Sequence, residues 1–118
     1  MRYLCLIYED EKAWQNMSEA DMQKGMAEYN AFNENAKKSG NYIGGEALQP
    51  TNTATSVRVR NGKISTTDGP YVETKEQLGG YYLINAKDLK DAVQVAARIP
   101  SARNGIIEVR PIMEFDQP

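Results

Sequence analysis

Apolar and polar positions follow one rhythm at the start of the chain and another soon after, and that change divides it into elements. RYLCLIY, Arg2 to Tyr8, predicts a strand with Tyr3, Cys5 and Ile7 on one face and Leu4, Leu6 and Tyr8 on the other. A strand apolar on both sides is expected to be covered on both. The polar stretch that follows, EDEKAWQNM, reads as a loop with one large apolar residue, Trp14. Ser18 predicts a helix N-cap, with Glu19 and Asp21 in the first turn where the dipole favours negative charge. Met22, Met26, Tyr29, Phe32 and Ala36 give that helix an apolar face, and Gly40 after Lys37 and Lys38 ends it. Gly25 weakens its middle and suggests close packing on a neighbour.

Beyond the helix, NYIGGEAL predicts a short strand in which Gly44-Gly45 marks a bulge or a close backbone contact, and Pro50 closes it. The clearest local signal is TATSVRVRNGKISTTD. Val57 and Val59 alternate with Arg58 and Arg60, Asn61-Gly62 makes a two-residue hairpin turn, and Lys63 to Thr67 return. GGYYLINA is another strand. Asp88 or Lys90 starts a second helix whose expected core face is Leu89, Ala92, Val93, Ala96 and Ile99, with Pro100 after its end. GIIEVRPIMEF is the last strand.

Without the hairpin the order is strand, helix, strand, strand, helix, strand. That is the split pattern of an α+β, ferredoxin-like antiparallel sheet with two helices on one face, here with an extra β-hairpin. Two helices on one face leave the other bare, although Leu4, Leu6, Tyr81 and Leu83 add apolar surface to it. An apolar face of that size is an association surface, and a two-fold pair is the commonest way to hide it. A homodimer through the sheet face is expected.

The 118 residues fit a single domain spanning 1–118, with no repeat or linker. The net charge is −2, and no basic stripe is present to neutralise a phosphate backbone, so nucleic acid is not an expected partner. No apolar run is long enough to cross a bilayer, and the opening residues lack a secretory-signal layout, so no membrane association and a cytoplasmic setting are expected. Cys5 is the single cysteine and lies in an apolar run, where a thiol acts as a small hydrophobe. The chain has no histidine, which removes Ser-His-Asp and Cys-His catalysis and nearly all zinc and non-haem iron sites. It carries neither a P-loop nor a dinucleotide fingerprint, and no cofactor is expected.

TDGPYVETKEQLGG, residues 67–80, is where chemistry is concentrated. Gly69-Pro70 forces a turn, with Pro70 pushing Gly69 toward extended or glycine-only conformations. Asp68 can fold its carboxylate onto backbone N–H groups beyond it, which pins the turn. As a general base it would instead need its pKa raised from about 3.9 toward neutrality. Glu73, Lys75 and Glu76 fit one helical turn, with Glu73 and Glu76 on a shared face. Such charges are usually solvated, and exposed pairs contribute about 0–1 kcal/mol. Here a proline turn precedes them and Gly79-Gly80, where backbone can approach other groups closely, follows. Arg58 and Arg60 read as an exposed sheet face, and Glu46 lies among glycines. Glu108 and Arg110 share a face of the last strand and must be paired if it is covered, with Lys75 or Glu73 as the expected partners.

The segment Asp68-Gly69-Pro70-Tyr71, followed by Glu73-Thr74-Lys75-Glu76 and Gly79-Gly80-Tyr81, resembles the signature of the DGPF-type branch of the YCII-related proteins. MRYLCLIYEDE with Trp14, GGEALQPTNTATSVR and GIIEVRP are similar to that family's opening, middle and ending. Tyr71 stands where the branch usually has Phe, which adds a hydroxyl and keeps the aromatic body. The resemblance implies a dimeric ferredoxin-like fold of the α/β-barrel type, similar to that of muconolactone isomerases. A His-Asp pair proposed to be catalytic in the wider family cannot be carried over, because there is no histidine. Association of DGPF-type members with extracytoplasmic-function sigma factors implies a regulatory or ligand-sensing setting, and the resemblance implies no settled activity.

Two functional readings follow. In the first, a cleft beside the dimer interface does cofactor-independent acid/base chemistry, isomerase- or lyase-like. Asp68 is the acid or base, Lys75 or Arg110 holds a small anionic ligand, and Tyr71, Glu73 and Glu76 complete the contacts. In the second, the same loop belongs to a non-enzymatic binding or regulatory module whose carboxylates are satisfied by Arg and Lys. A divalent metal on Asp68, Glu73 and Glu76 is a third arrangement, but the spacing matches no EF-hand loop and no metal site is expected.

Overall fold

Side chains that satisfy backbone groups set the ends of the helices. The computed structural model describes residues 1–115, and the last three residues of the expected domain lie outside that range. β1 (Arg2–Glu9) is followed by a five-residue helix α1 (Glu11–Gln15), where a loop was expected. Asp10 caps it by accepting from the Lys12 N–H at 3.0 Å. α2 (Glu19–Lys38) starts at Ser18, whose hydroxyl accepts from the Asp21 N–H at 3.1 Å. It stops at Gly40, with Asn41 N–H donating to Ala36 O at 2.9 Å and Gly40 N–H to Lys37 O at 3.2 Å. α3 (Leu89–Ala97) is capped by Asp88, which accepts from Asp91 N–H at 2.9 Å, while Asp91 accepts from Lys87 N–H at 2.9 Å.

β2 (Tyr42–Ala47), β5 (Gln77–Asn85), β1 and β6 (Ile106–Pro111) form one antiparallel sheet in the order β2-β5-β1-β6. The register sets Tyr3 beside Ile84 and Cys5 beside both Tyr82 and Val109. These side chains meet Phe32 and Ala36 of α2 and Ala92, Val95 and Ala96 of α3 in one buried core, so both helices lie on the same face. Leu4, Leu6, Tyr8, Tyr81 and Leu83 point the other way and are half-buried. No helix of the described residues is long and apolar enough to cross a membrane.

β3 (Thr55–Arg60) and β4 (Lys63–Asp68) pair only with each other, through Asn61 (φ 51°) and Gly62 (φ 75°). Nearly every residue of this hairpin is exposed. Val57 and Val59 share one face with Ile64, and Arg58, Arg60 and Lys63 share the other. The projection explains a radius of gyration of 16.6 Å, where a compact chain of this length has about 13.5 Å.

Three expectations change. A Cβ on Gly25 would meet nothing within 4 Å, so no neighbour packs tightly there. Leu89 and Val93 are exposed and Val95 is buried, because the helix turns its alanine stripe, Ala92 and Ala96, toward the sheet. Met22 and Met26 are exposed, so α2 buries only its second half, around Phe32 and Ala36.

Candidate functional site

β1 ends where β5 begins, with Glu9 beside Gln77, and β2 ends at the same edge, with Ala47 beside Gly80. α1 turns away immediately after β1, and the half of α2 that leaves the core passes above. The strand ends and these helices enclose a cavity of about 560 Å³, within the range of small-molecule sites. Met26, Tyr29 and Asn33 of α2, Trp14 of α1 and Tyr82 of β5 form its walls.

Two glycines shape the floor. A Cβ on Gly45 would stand 2.7 Å from both Tyr82 Cδ1 and Tyr81 O, and a Cβ on Gly80 2.7 Å from Glu46 O. Only glycine lets the Tyr82 ring lie this close to β2. Gly44 and Gly79, their sequence neighbours, face open space. The Tyr82 ring centroid is 5.0 Å from that of Phe32, 6.1 Å from Tyr42 and 6.5 Å from Tyr29, and its hydroxyl donates to Asn33 Oδ1 at 2.5 Å.

Polar groups converge from four parts of the chain. Ser101 donates to Glu9 Oε1 at 2.5 Å. Its single hydroxyl hydrogen is thereby used, so in its hydrogen bond with Tyr29 the tyrosine hydroxyl is the donor. Trp14 Nε1 donates to Glu9 Oε2 at 3.2 Å, so both carboxylate oxygens accept. Ser101 is only 3% exposed, and Pro100–Arg103, a 3₁₀ turn, holds it in place. Burial raises the Tyr29 pKa above the ordinary phenol value, and the charge of Glu9 adds to the effect. Burial also pushes Tyr82 up to about 12, helped by Tyr29 and Tyr42. Both phenols remain protonated at neutral pH and serve as hydrogen-bonding groups. Glu11 accepts from Thr51 N–H at 2.7 Å and Thr51 Oγ1 at 2.8 Å, tying α1 to the turn after β2. The cavity is lined by three carboxylates, Glu9, Glu11 and Glu46, and by no Lys or Arg among the described residues.

The residues singled out from the sequence lie elsewhere, apart from Glu46 and the glycines Gly45, Gly79 and Gly80. Asp68 is the exposed last residue of β4, and its carboxylate has no hydrogen-bond partner among the described residues. Gly69 holds the turn instead. Its φ is 99°, its N–H donates to Ala54 O at 2.7 Å and its carbonyl accepts from Ser56 Oγ at 2.9 Å. Pro70, Glu73 and Lys75 are exposed, Tyr71 is 83% exposed and Glu76 is half-buried. The expected helical turn is absent. Thr74 Oγ1 bonds to Glu76 O and Gln77 Nε2 donates to Thr74 O at 2.6 Å, a local alternative to helix that threonine favours. Arg110 is exposed on the bare sheet face beside Leu4. Gly79 and Gly80 line the cavity, as does Gln77, whose Oε1 accepts from Glu11 N–H at 2.9 Å. No group of three or more Cys, Asp or Glu suited to a metal occurs among the described residues.

A four-stranded antiparallel sheet with helices on one face and a cavity at one end defines a small α+β domain. The chain belongs to the YCII-related family, whose domain model matches residues 1–116. An uncharacterized protein of Rhizobium meliloti (strain 1021) is similar to it, 33% identical over 114 residues that make up 95% of this chain and 92% of that protein.

Proposed function

We propose that this chain is a small-molecule-binding protein of the DGPF-type branch, with a ferredoxin-like fold, and that its ligand occupies the cavity walled by Trp14, Tyr29 and Tyr82. The observation that carries the reading is the convergence of aromatic walls with the Glu9 carboxylate in one cavity of about 560 Å³, where the lining residues Glu9 and Tyr29 are joined through buried Ser101, itself outside the lining. Few polar groups among apolar walls is the composition of a ligand pocket. Two copies pair through the face bearing Leu4, Leu6, Tyr81 and Leu83, forming an α/β barrel. The half-buried apolar side chains of that face support this pairing, as does the exposed stripe Val57, Val59 and Ile64 on the hairpin.

Trp14 is the single tryptophan and borders the cavity, so its emission reports on occupancy. Small aromatic compounds are expected to alter that emission saturably. Met26→Trp, which fills the mouth, should abolish binding when emission is replaced by calorimetry as the readout. Full binding by the filled variant would refute the site.

A second reading keeps the Asp68–Gly80 segment as an acid/base site or a contact for a regulatory partner such as a sigma factor. It is favoured by the fixed position of Gly69, which holds Asp68 at the base of the hairpin. Asp68→Asn should then abolish turnover or partner binding and leave the fold intact, and a fully functional variant would end this reading.

A further inference from the structure

The cavity's ligand class follows from its charges. We infer that it takes an organic cation, an aromatic or aliphatic ammonium compound, with Glu9 as the counter-charge and Trp14, Tyr29 and Tyr82 as the surfaces against which the cation and its apolar body lie. This rests on the reading of the cavity as a ligand site.

Glu9 lines the cavity, fixed by Ser101 and Trp14 but still able to accept, because two carboxylate oxygens offer about four lone-pair positions. Glu11 and Glu46 add negative charge along the lining. With no Lys or Arg among the lining residues and no histidine in the chain, an anion entering here would meet three carboxylates and no lining cation. Lys75 and Arg110, the groups suited to an anionic ligand, do not line the cavity.

Aromatic rings are the second independent feature. Tyr and Trp faces attract cations, more strongly where water is excluded. The chain already uses one of these rings in that way, with Lys37 Nζ 5.0 Å from the ring centroid of Tyr42, which also borders the cavity. A carboxylate and aromatic rings in one lining select for positive charge and leave the hydrophobic body of the ligand to the remaining walls.

Three probes of one shape separate the terms: phenethylammonium, 2-phenylethanol and 3-phenylpropionate, titrated against the full chain at low and high salt. The expected order is the ammonium at least tenfold tighter than the alcohol, about 1.4 kcal/mol, with the carboxylate weakest. The advantage of the ammonium should shrink with salt. Glu9→Gln should remove most of that advantage. Glu46→Gln, at an exposed position whose side chain makes no hydrogen bond among the described residues, should reduce it more modestly and guards against a Glu9 variant that misfolds. Equal binding of alcohol and ammonium would overturn the cation preference while leaving the cavity a ligand site. Tightest binding by the carboxylate would overturn it outright, and binding of none of the three would remove both the preference and the site.

Discussion

Ser101 and Glu9, 92 positions apart in the chain, meet across 2.5 Å beside the cavity that Glu9 lines. The contact fastens the 3₁₀ turn after α3 to the end of β1, and through Tyr29 it fastens both to α2. Structure and candidate function therefore share one row of hydroxyls.

Removing the middle of that row tests its worth. Ser101→Ala leaves the Tyr29 hydroxyl and one Glu9 oxygen without a partner, and should cost about 1–3 kcal/mol in urea unfolding. Tyr29→Phe combined with Ser101→Ala should be non-additive by about 0.5 kcal/mol or more. Strict additivity would mean the three groups do not act together.

Gly45 and Gly25 are not equivalent. Gly45→Ala forces the Tyr82 ring or the Tyr81 carbonyl to move and should destabilise by about 1–3 kcal/mol. Gly25→Ala, in the open middle of α2, should stabilise by about 0.5–1 kcal/mol. Equal effects at the two sites would count against the close approach of β2 to Tyr82.

Alkaline pH should weaken the fold in two overlapping steps. Burial raises Cys5 from 9.0 to about 11 and Tyr82 from 10.0 to about 12. The folded chain thus keeps protons that the unfolded chain has released, and stability falls with pH in that interval. The contribution of Cys5 is complete below pH 9 and lost by about 11, and that of Tyr82 is complete below 10 and lost by about 12. Unfolding midpoints measured between pH 7 and 11.5 should decline from about 9, and less steeply in Cys5→Ala. A flat profile would show that neither group is protected.

Pairing through the bare sheet face predicts a solution mass of twice the 13.2 kDa chain. Leu6→Glu places a charge at the centre of that face and should give the single-chain mass by light scattering with unchanged circular dichroism. A parent protein that runs at the single-chain mass at micromolar concentration would refute the pairing.

Local signals in the sequence were sufficient for much of the fold. Ser18 and Gly40 bound α2, Asn61-Gly62 makes the hairpin turn, and the apolar run from Arg2 to Tyr8 makes β1. Each is decided by residues within a few positions of one another. The phase of α3 was legible in part, since Ala92, Ala96 and Ile99 are buried as the spacing predicts, whereas Leu89 and Val93 offer as good an apolar stripe as Val95 and packing of the alanines on the sheet decides between them. The cavity was also hidden. Its groups come from β1, α1, α2, β2 with the turn after it, and β5, and no spacing relates them before the chain folds. The dense charge of residues 68–76 drew attention to the loop, whereas Glu9 looked like the polar end of a strand and Trp14 like a stray apolar residue. The two signals that did point to the cavity were the glycine pairs, read as places of close backbone approach, and at Gly45 and Gly80 they are.

The most direct test of the ligand site is amide and indole chemical-shift mapping on the full chain with saturating phenethylammonium and 2-phenylethanol. The cavity predicts the largest shifts at Gly45, Gly80, Tyr82 and the Trp14 indole N–H, with small ones from Asp68 to Lys75. Shifts gathered at Asp68, Tyr71 and Lys75, with the Trp14 indole and Gly80 unmoved, would contradict it.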